Sequence, residues 1–263
     1  MRINKAIRQV MKEKGVSLLV MAKAGLAPER GQVRKNIEKL KIERSEKMLD
    51  LMKQRHSVRQ YTDRPIEVEK RNALNSMIAQ INQKADLHIQ PFYEEPQCFD
   101  STMAHYGKFT GVKDYISLVG KRSPKLEETL GYYGEQLVLK AQELGLNTCW
   151  VALTHGRSQA EIDKGEKEIC LISLGYGCTD GVAHKGKQMS EVSNYQEGMP
   201  EWFRNGVEAA LLAPTAMNQQ KFYFELLPDG TVKLTCGKGF YTKLDMGIVK
   251  YHFEEVSRKK ITD

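Results

Sequence analysis

The sequence predicts a fold that mixes helices and strands, in the α+β or α/β class. From Arg55 onward, short strand patterns alternate with helical periodicity. The predicted strands are 88–92, 115–119, 169–174, 221–227 and 231–235, and the predicted helices are 67–83, 134–144, 202–211 and 246–258. Pro228-Asp229-Gly230 is a typical hairpin turn between the last two strands. No linker rich in Pro, Gly or Ser divides this region, and its main connector is 180–197.

The composition is that of a globular protein. The 263 residues are 41% hydrophobic and 28% charged, which excludes disorder as the main state. The longest uncharged apolar stretch, 17–22, is too short to span a membrane, and 1–14 is too charged for a signal peptide, so we expect a cytoplasmic protein with no membrane partner. Five cysteines without a C-x-x-C pair exclude a disulfide scaffold and a zinc ribbon, and predict reduced core thiols.

The positive charge is concentrated at the beginning of the chain. Residues 1–54 contain 14 Lys and Arg against 6 Asp and Glu, whereas the remainder contains 26 against 27. Such asymmetry indicates an appendage with its own partners. We therefore predict a basic helical extension at 1–47 and a near-neutral domain at 48–263.

The extension is predicted to be a series of short helices, the third at 29–40 and the fourth at 44–52. The segment SLLVMAKAGLAPERGQVRKNIEKL resembles a degenerate helix-turn-helix of the Cro/repressor type. That resemblance would place Gln32, Arg34 and Lys35 on a recognition helix. A solvated basic extension packed on the main domain is the other interpretation.

The first polar cluster is RHSVRQYTDRPI. In extended geometry Arg55, Ser57 and Arg59 point the same way and present two guanidiniums and a hydroxyl to one place. Guanidinium groups match phosphate oxygens, so this cluster is a candidate phosphate site. A salt-bridged surface turn would have the same composition.

Two further clusters lie late in the chain. In LLAPTAMNQQKFYF, Pro214 ends a helix and Thr215, Asn218 and Gln220 bring uncharged polar groups to a helix–strand junction, where a planar heterocycle could satisfy them. A loop that bonds its own backbone is the alternative. Lys185 and Lys187, in HKGKQ, form either one side of an anion site or a solvated basic loop.

Several catalytic motifs are absent. The sequence has no G-x-G-x-x-G, no Walker loop, no G-x-S-x-G and no H-E-x-x-H. This disfavours a Rossmann dehydrogenase, a P-loop NTPase, an α/β-hydrolase and a zincin.

Four segments together resemble the FMN-dependent nitroreductase family: RHSVRQYTDRPI, LGLNTCW, APTAMNQQ and HKGKQMSE. The resemblance covers about residues 47–260. It implies an α+β fold, with a central mixed or antiparallel sheet flanked by helices, and FMN as the cofactor. The cofactor-binding residues that it implies are Arg55, Ser57, Arg59, Leu153, Thr154, Lys185, Lys187, Pro214, Thr215, Met217, Asn218 and Gln220.

The order of these motifs resembles the branch of the family that is built by internal duplication. In most members the Ala-Pro-Ser loop comes early in the chain and FMN lies between two subunits, whereas here the loop occurs only at 213–220. We therefore expect two related halves, about 48–180 and 181–263, which form a pseudo-dimer. The predicted helices 134–144 and 246–258 are both amphipathic and glycine-led, which fits two copies of one unit. The two halves would share one flavin site in a monomer or a weak homodimer.

The resemblance implies an NAD(P)H oxidoreductase. FMN would carry a hydride through N5, in a ping-pong scheme, to an electron-poor acceptor such as a nitroaromatic or a quinone, with no catalytic side chain and no metal. In specialised relatives the substrate is flavin itself or a halogenated aromatic, and the sequence leaves both open as substrates of this protein. The alternative is a flavin-binding sensor or transcriptional regulator that uses the N-terminal helices on DNA.

Overall fold

The structure, a computed structural model, describes residues 30–261, which divide into two units between Lys47 and Met48. The helices are α1 (Arg30–Gln54), α2 (Val68–Ala85), α3 (Thr102–Tyr106), α4 (Leu126–Glu143), α5 (Met189–Val192), α6 (Glu201–Leu211) and α7 (Thr242–Ser257). The strands are β1 (Gln90–Phe92), β2 (Asp114–Lys121), β3 (Asn147–Val151), β4 (Glu166–Gly175), β5 (Phe222–Leu226) and β6 (Val232–Cys236). No described helix is long and apolar enough to cross a membrane.

The strands form one four-stranded sheet and one hairpin. The sheet has the order β1-β2-β4-β3 and is antiparallel throughout, and β5 and β6 pair separately through the predicted Pro-Asp-Gly turn. The α+β prediction is confirmed, and the α/β alternative is wrong because the described sheet contains no parallel pair. All five predicted strands are present. The predicted strands do not include β3, whose mixed residues Asn-Thr-Cys-Trp-Val give no clear strand pattern.

The helix α1 is continuous, so the predicted break between Leu40 and Arg44 is wrong. The three intervening residues, Lys-Ile-Glu, include neither Gly nor Pro, and nothing in them stops a helix. Gln32, Arg34 and Lys35 belong to this helix. The first two helices of the helix-turn-helix prediction lie outside the described residues.

The helices α4 and α7 pack along each other and begin earlier than predicted, at Leu126 and Thr242. The sequence predicted that glycines begin these helices, but Gly131 and Gly247 lie inside them. A Cβ on Gly131 would meet the carbonyl oxygen of Leu244, and a Cβ on Gly247 would meet that of Glu128. Each helix thus supplies a glycine to the backbone of the other, which permits an unusually close approach.

Two of the apolar cores include residues of this helix pair. One joins α2 and α4 to the four-stranded sheet, and the other joins α6 and α7 to the hairpin. Trp150, on β3, packs against both cores. The thiol expectation holds for three cysteines, which are buried, but Cys178 is exposed and Cys236 is half-buried.

We predict that Gly131→Ala and Gly247→Ala each lower the free energy of unfolding by about 2 kcal/mol, measured by urea denaturation. The added Cβ meets backbone atoms, which cannot rotate away, so the overpacking outweighs the gain of roughly 1 kcal/mol in helix propensity. Gly237→Ala is the control, since its Cβ would make only ordinary contact with Lys221. Equal stabilities for all three variants would contradict the close helix contact.

Candidate functional site

A cleft with a cavity volume of about 120 Å³ lies where the segment after α1, the end of β3, the loop after α6 and the first turn of α7 meet. Its lining includes Ser57, Arg59, Trp150, Pro214, Thr215, Met217 and Asp245. Residues about 160 positions apart in the chain therefore share one cleft.

The segment that follows α1 lies beside β3. The backbone N–H of Val58 donates to the carbonyl oxygen of Thr148 at 3.0 Å, and Ser57 forms a parallel bridge with the same residue. This pairing turns Ser57 and Arg59 into the cleft, as their alternation predicts. Sequence and sheet pairing together thus fix the polar end of the cleft.

Arg55 is a buried cation close to this end, but it does not line the cleft. It is only 3% exposed, and its Nε has no hydrogen-bond partner in the described part of the chain. Burial raises the pKa of the Cys149 thiol, while the charges of Arg59 and Arg55 act in the opposite direction. Both guanidiniums therefore act on a thiol that lines the cleft.

The opposite wall is the loop that follows α6. Its backbone has positive φ at Met217 (52°), Asn218 (53°) and Gln220 (44°), a conformation that costs non-glycine residues energy and is concentrated at functional sites. Met217 lines the cleft and is 94% exposed. Two anchors hold this loop in place.

The first anchor is Asp245, on α7. Its Oδ1 accepts from the N–H of Ala216 at 2.9 Å, and its Oδ2 accepts from Nε2 of Gln219 at 2.7 Å. Burial raises the pKa of Asp245 to about 6, against the smaller effect of these two donors. The carboxylate of Asp245 therefore lines the cleft and also holds the loop in place.

The second anchor is the amide of Gln220, which is buried. It donates to the carbonyl oxygen of Lys185 and to Oδ1 of Asn218, both within 2.9 Å, and it accepts from the N–H of Lys187 at 2.9 Å. The ammonium of Lys187 donates to the carbonyl oxygen of Gln220. Lys185, Lys187, Asn218 and Gln220 are therefore brought together beside the cleft, but none of them lines it.

Leu153 and Thr154 are also outside the cleft lining. Leu153 is 66% exposed, and Thr154 packs against Gly107. The preceding residues, Val151 and Ala152, line the cleft instead. The cleft is therefore lined by residues slightly earlier in the sequence, at the end of β3, than the resemblance implied.

Sequence reasoning missed Asp245 and the role of Trp150 as a wall. Trp150 stood inside a quoted motif, LGLNTCW, and could have been considered. Asp245 belongs to no motif. Its signal would have been an acidic residue on the apolar face of α7, between the buried Leu244 and Gly247.

Comparison with known proteins gives a consistent result. The model of a family described as "Putative TM nitroreductase" matches residues 47–257. No curated protein matches the sequence. A Thermotoga maritima crystal structure described as a "putative nitroreductase" has a TM-score of 0.61 at 21% identity, over 80% of this chain and 83% of that one.

Two other solved structures cover a smaller part of the chain. A nitroreductase from Desulfovibrio desulfuricans, described as "putative" and in complex with FMN, has 16% identity and a TM-score of 0.45, over 58% of this chain and 98% of its own. An FMN-dependent nitroreductase from Clostridium difficile has 17% identity and a TM-score of 0.42, over 57% and 97%.

We predict that the unfolding free energy of the parent, relative to that of Asp245→Asn, falls as the pH rises from about 4 to about 7.5. Burial raises the pKa of Asp245 from its ordinary 3.8 to about 6 in the folded state, so folding favours the protonated carboxyl and stability is lost as the pH rises through 6. The expected loss is about 3 kcal/mol. Urea unfolding at several pH values measures the difference, and a constant or rising difference would contradict the assignment.

Proposed function

Because the chain belongs to this nitroreductase family, we propose that it is an FMN-dependent oxidoreductase in which one chain builds both ends of the cofactor site. The observation that carries the proposal is the cleft shared by Ser57 and Arg59 from one part of the chain and Pro214, Thr215 and Met217 from another. A site of this kind needs a cationic end and an apolar end, and the cleft has both.

The cationic end fits a phosphate group. A buried guanidinium without a partner is costly, and phosphate oxygens would supply the acceptor that Arg55 Nε lacks. Ser57 and Arg59, at the cleft surface, add a hydroxyl and a second guanidinium. These three residues would hold the phosphate and the chain that leads to it.

The apolar end fits a planar ring system. This part of the cleft is lined by Pro214, Met217, Trp150 and Tyr241, together with Thr215. Flat apolar side chains exclude water and fix the plane of a bound ring. Gln220 would shape the loop instead of contacting the ring, because its amide is already satisfied by the protein.

Bound FMN would supply the redox chemistry, with N5 taking a hydride from NADH or NADPH and passing it to an electron-poor acceptor such as a nitroaromatic or a quinone. The chain needs no acid/base pair for this reaction. Its residues would orient the ring, and the donor and the acceptor would occupy the same place in the cleft in turn.

We also propose that the two halves of the domain arose by duplication. The element order α2-β1-β2-α4, with the short α3 between its strands, parallels α6-β5-β6-α7. The starts of α4 and α7, at Leu126 and Thr242, are separated by 116 residues, as are Gly131 and Gly247. Each of these helices places a glycine against the backbone of the other, and such a reciprocal contact is the geometry of a two-fold dimer interface.

We predict that Arg55→Ala weakens FMN binding by about 1.5–3 kcal/mol, because a charge-assisted contact to the phosphate is lost. The measurement is a titration of apoprotein with FMN, followed by flavin fluorescence. Arg204→Ala is the matched control, since Arg204 is an exposed arginine paired with Glu208 on α6. Equal FMN affinities for the parent and Arg55→Ala would show that the phosphate assignment is wrong.

We predict that the FMN-loaded protein oxidises NADH or NADPH in the presence of a nitroaromatic or a quinone. Initial rates at several fixed acceptor concentrations should give parallel lines in double-reciprocal plots, because the two substrates never share the cleft. Intersecting lines would contradict sequential use of one site. Absence of turnover in a protein that retains FMN would contradict the proposed activity.

A further inference from the structure

A fully buried carboxylate lies between α4 and α7. The side chains of Glu135 and His252 are both 0% exposed, and Oε1 of Glu135 is 2.9 Å from Nε2 of His252. The other carboxylate oxygen, Oε2, accepts from the indole Nε1 of Trp150 at 3.0 Å. Glu135 thus joins a histidine in the core to an indole that lines the cleft.

The hydrogen bonds fix the proton count of this pair. His252 Nδ1 lies 2.9 Å from the carbonyl oxygen of Ala209, which can only accept, so Nδ1 carries a proton. A further proton must lie between Nε2 and the carboxylate, since two lone pairs would otherwise face each other. The pair of side chains therefore has no net charge, wherever that proton resides.

Trp150 is held at two points. A Cβ on Gly134 would collide with the six-membered ring of Trp150, so the glycine makes room for the tip of the indole. Glu135, the next residue on α4, binds the indole N–H at the other edge. Together these contacts define both the position and the rotation of the ring.

An apolar residue in place of Glu135 would fill the core without the cost of desolvating a carboxylate. What it could not do is bind the indole N–H. We propose that Glu135, locked by His252, is a positioning residue that fixes the Trp150 indole as a wall of the cleft. The proposal rests on the proposed function in so far as the occupant of the cleft is FMN.

The test uses chains in which Trp202→Phe leaves Trp150 as the only tryptophan. In the apoprotein, quenching of Trp150 fluorescence by iodide reports whether the indole is fixed, and an FMN titration reports the affinity of the cleft. Three variants are compared: Glu135→Leu, Glu135→Gln and Leu137→Ala. Leu137 is a buried core residue two positions along α4, and it does not line the cleft.

We expect Glu135→Leu to increase iodide quenching severalfold and to weaken FMN binding about tenfold. Glu135→Gln should stay within about twofold of the parent, because a glutamine amide can accept from Trp150 and donate to a neutral His252. Leu137→Ala should lower the melting temperature and leave quenching and FMN affinity unchanged. Unchanged quenching in Glu135→Leu, or an equal change in Leu137→Ala, would overturn the proposal.

A second variant covers the case in which Glu135→Leu does not fold. Trp150→Phe keeps Glu135 and His252 and removes the indole, so we expect weaker FMN binding in an otherwise parental chain. Unchanged affinity would overturn the positioning role. If the parent itself binds no FMN, the proposed function fails, whereas iodide quenching of the apoprotein variants still decides whether Glu135 positions Trp150.

Discussion

The close contact between α4 and α7 is the constraint on which the rest of this structure depends. Two glycines, Gly131 and Gly247, let each helix touch the backbone of the other. Because α4 leads into β3 and α7 follows the hairpin, this contact brings the two apolar cores together around Trp150. The cleft lies at the same junction, so its walls come from both halves of the domain.

The buried side chains of Arg55, Asp245 and Glu135 have different roles near this cleft. Arg55 has an unpaired Nε and is suited to an anion from outside the chain. Both carboxylate oxygens of Asp245 accept hydrogen bonds from the loop at 216–219. The two carboxylate oxygens of Glu135 are hydrogen-bonded to Trp150 and His252. Buried charges are costly unless they are paired, and this cost is the reason for proposing Arg55 as a phosphate-binding residue.

Much of the fold could be predicted from local pattern. Alternation and a hairpin turn located five of the six strands. Of the three residues that alternate in the first polar cluster, Ser57 and Arg59 line the cleft and Arg55 does not. Glycines were predicted to mark the starts of α4 and α7, because a sequence does not show whether a glycine ends a helix or allows a neighbouring helix to approach closely. Close approach is a property of two segments, and only the packed structure reveals it.

The candidate site likewise has a part that the local sequence predicts and a part that only the packed structure reveals. Pro214 and the polar residues after it identify a loop, but the residues that hold this loop, Asp245 on α7 and the backbone at Lys185, lie about 30 positions away in opposite directions. No local pattern connects them. Lys187 was expected to face a phosphate, whereas its ammonium donates to the backbone of Gln220, because that carbonyl oxygen needs a donor.

The central claim is that one chain completes one flavin site. Native mass spectrometry of the FMN-loaded protein tests it most directly, because it measures flavin and chain in the same particle. The account predicts one FMN in a species containing a single 30.0 kDa chain. Flavin found only in particles of two chains, or a chain that retains no flavin, would contradict it.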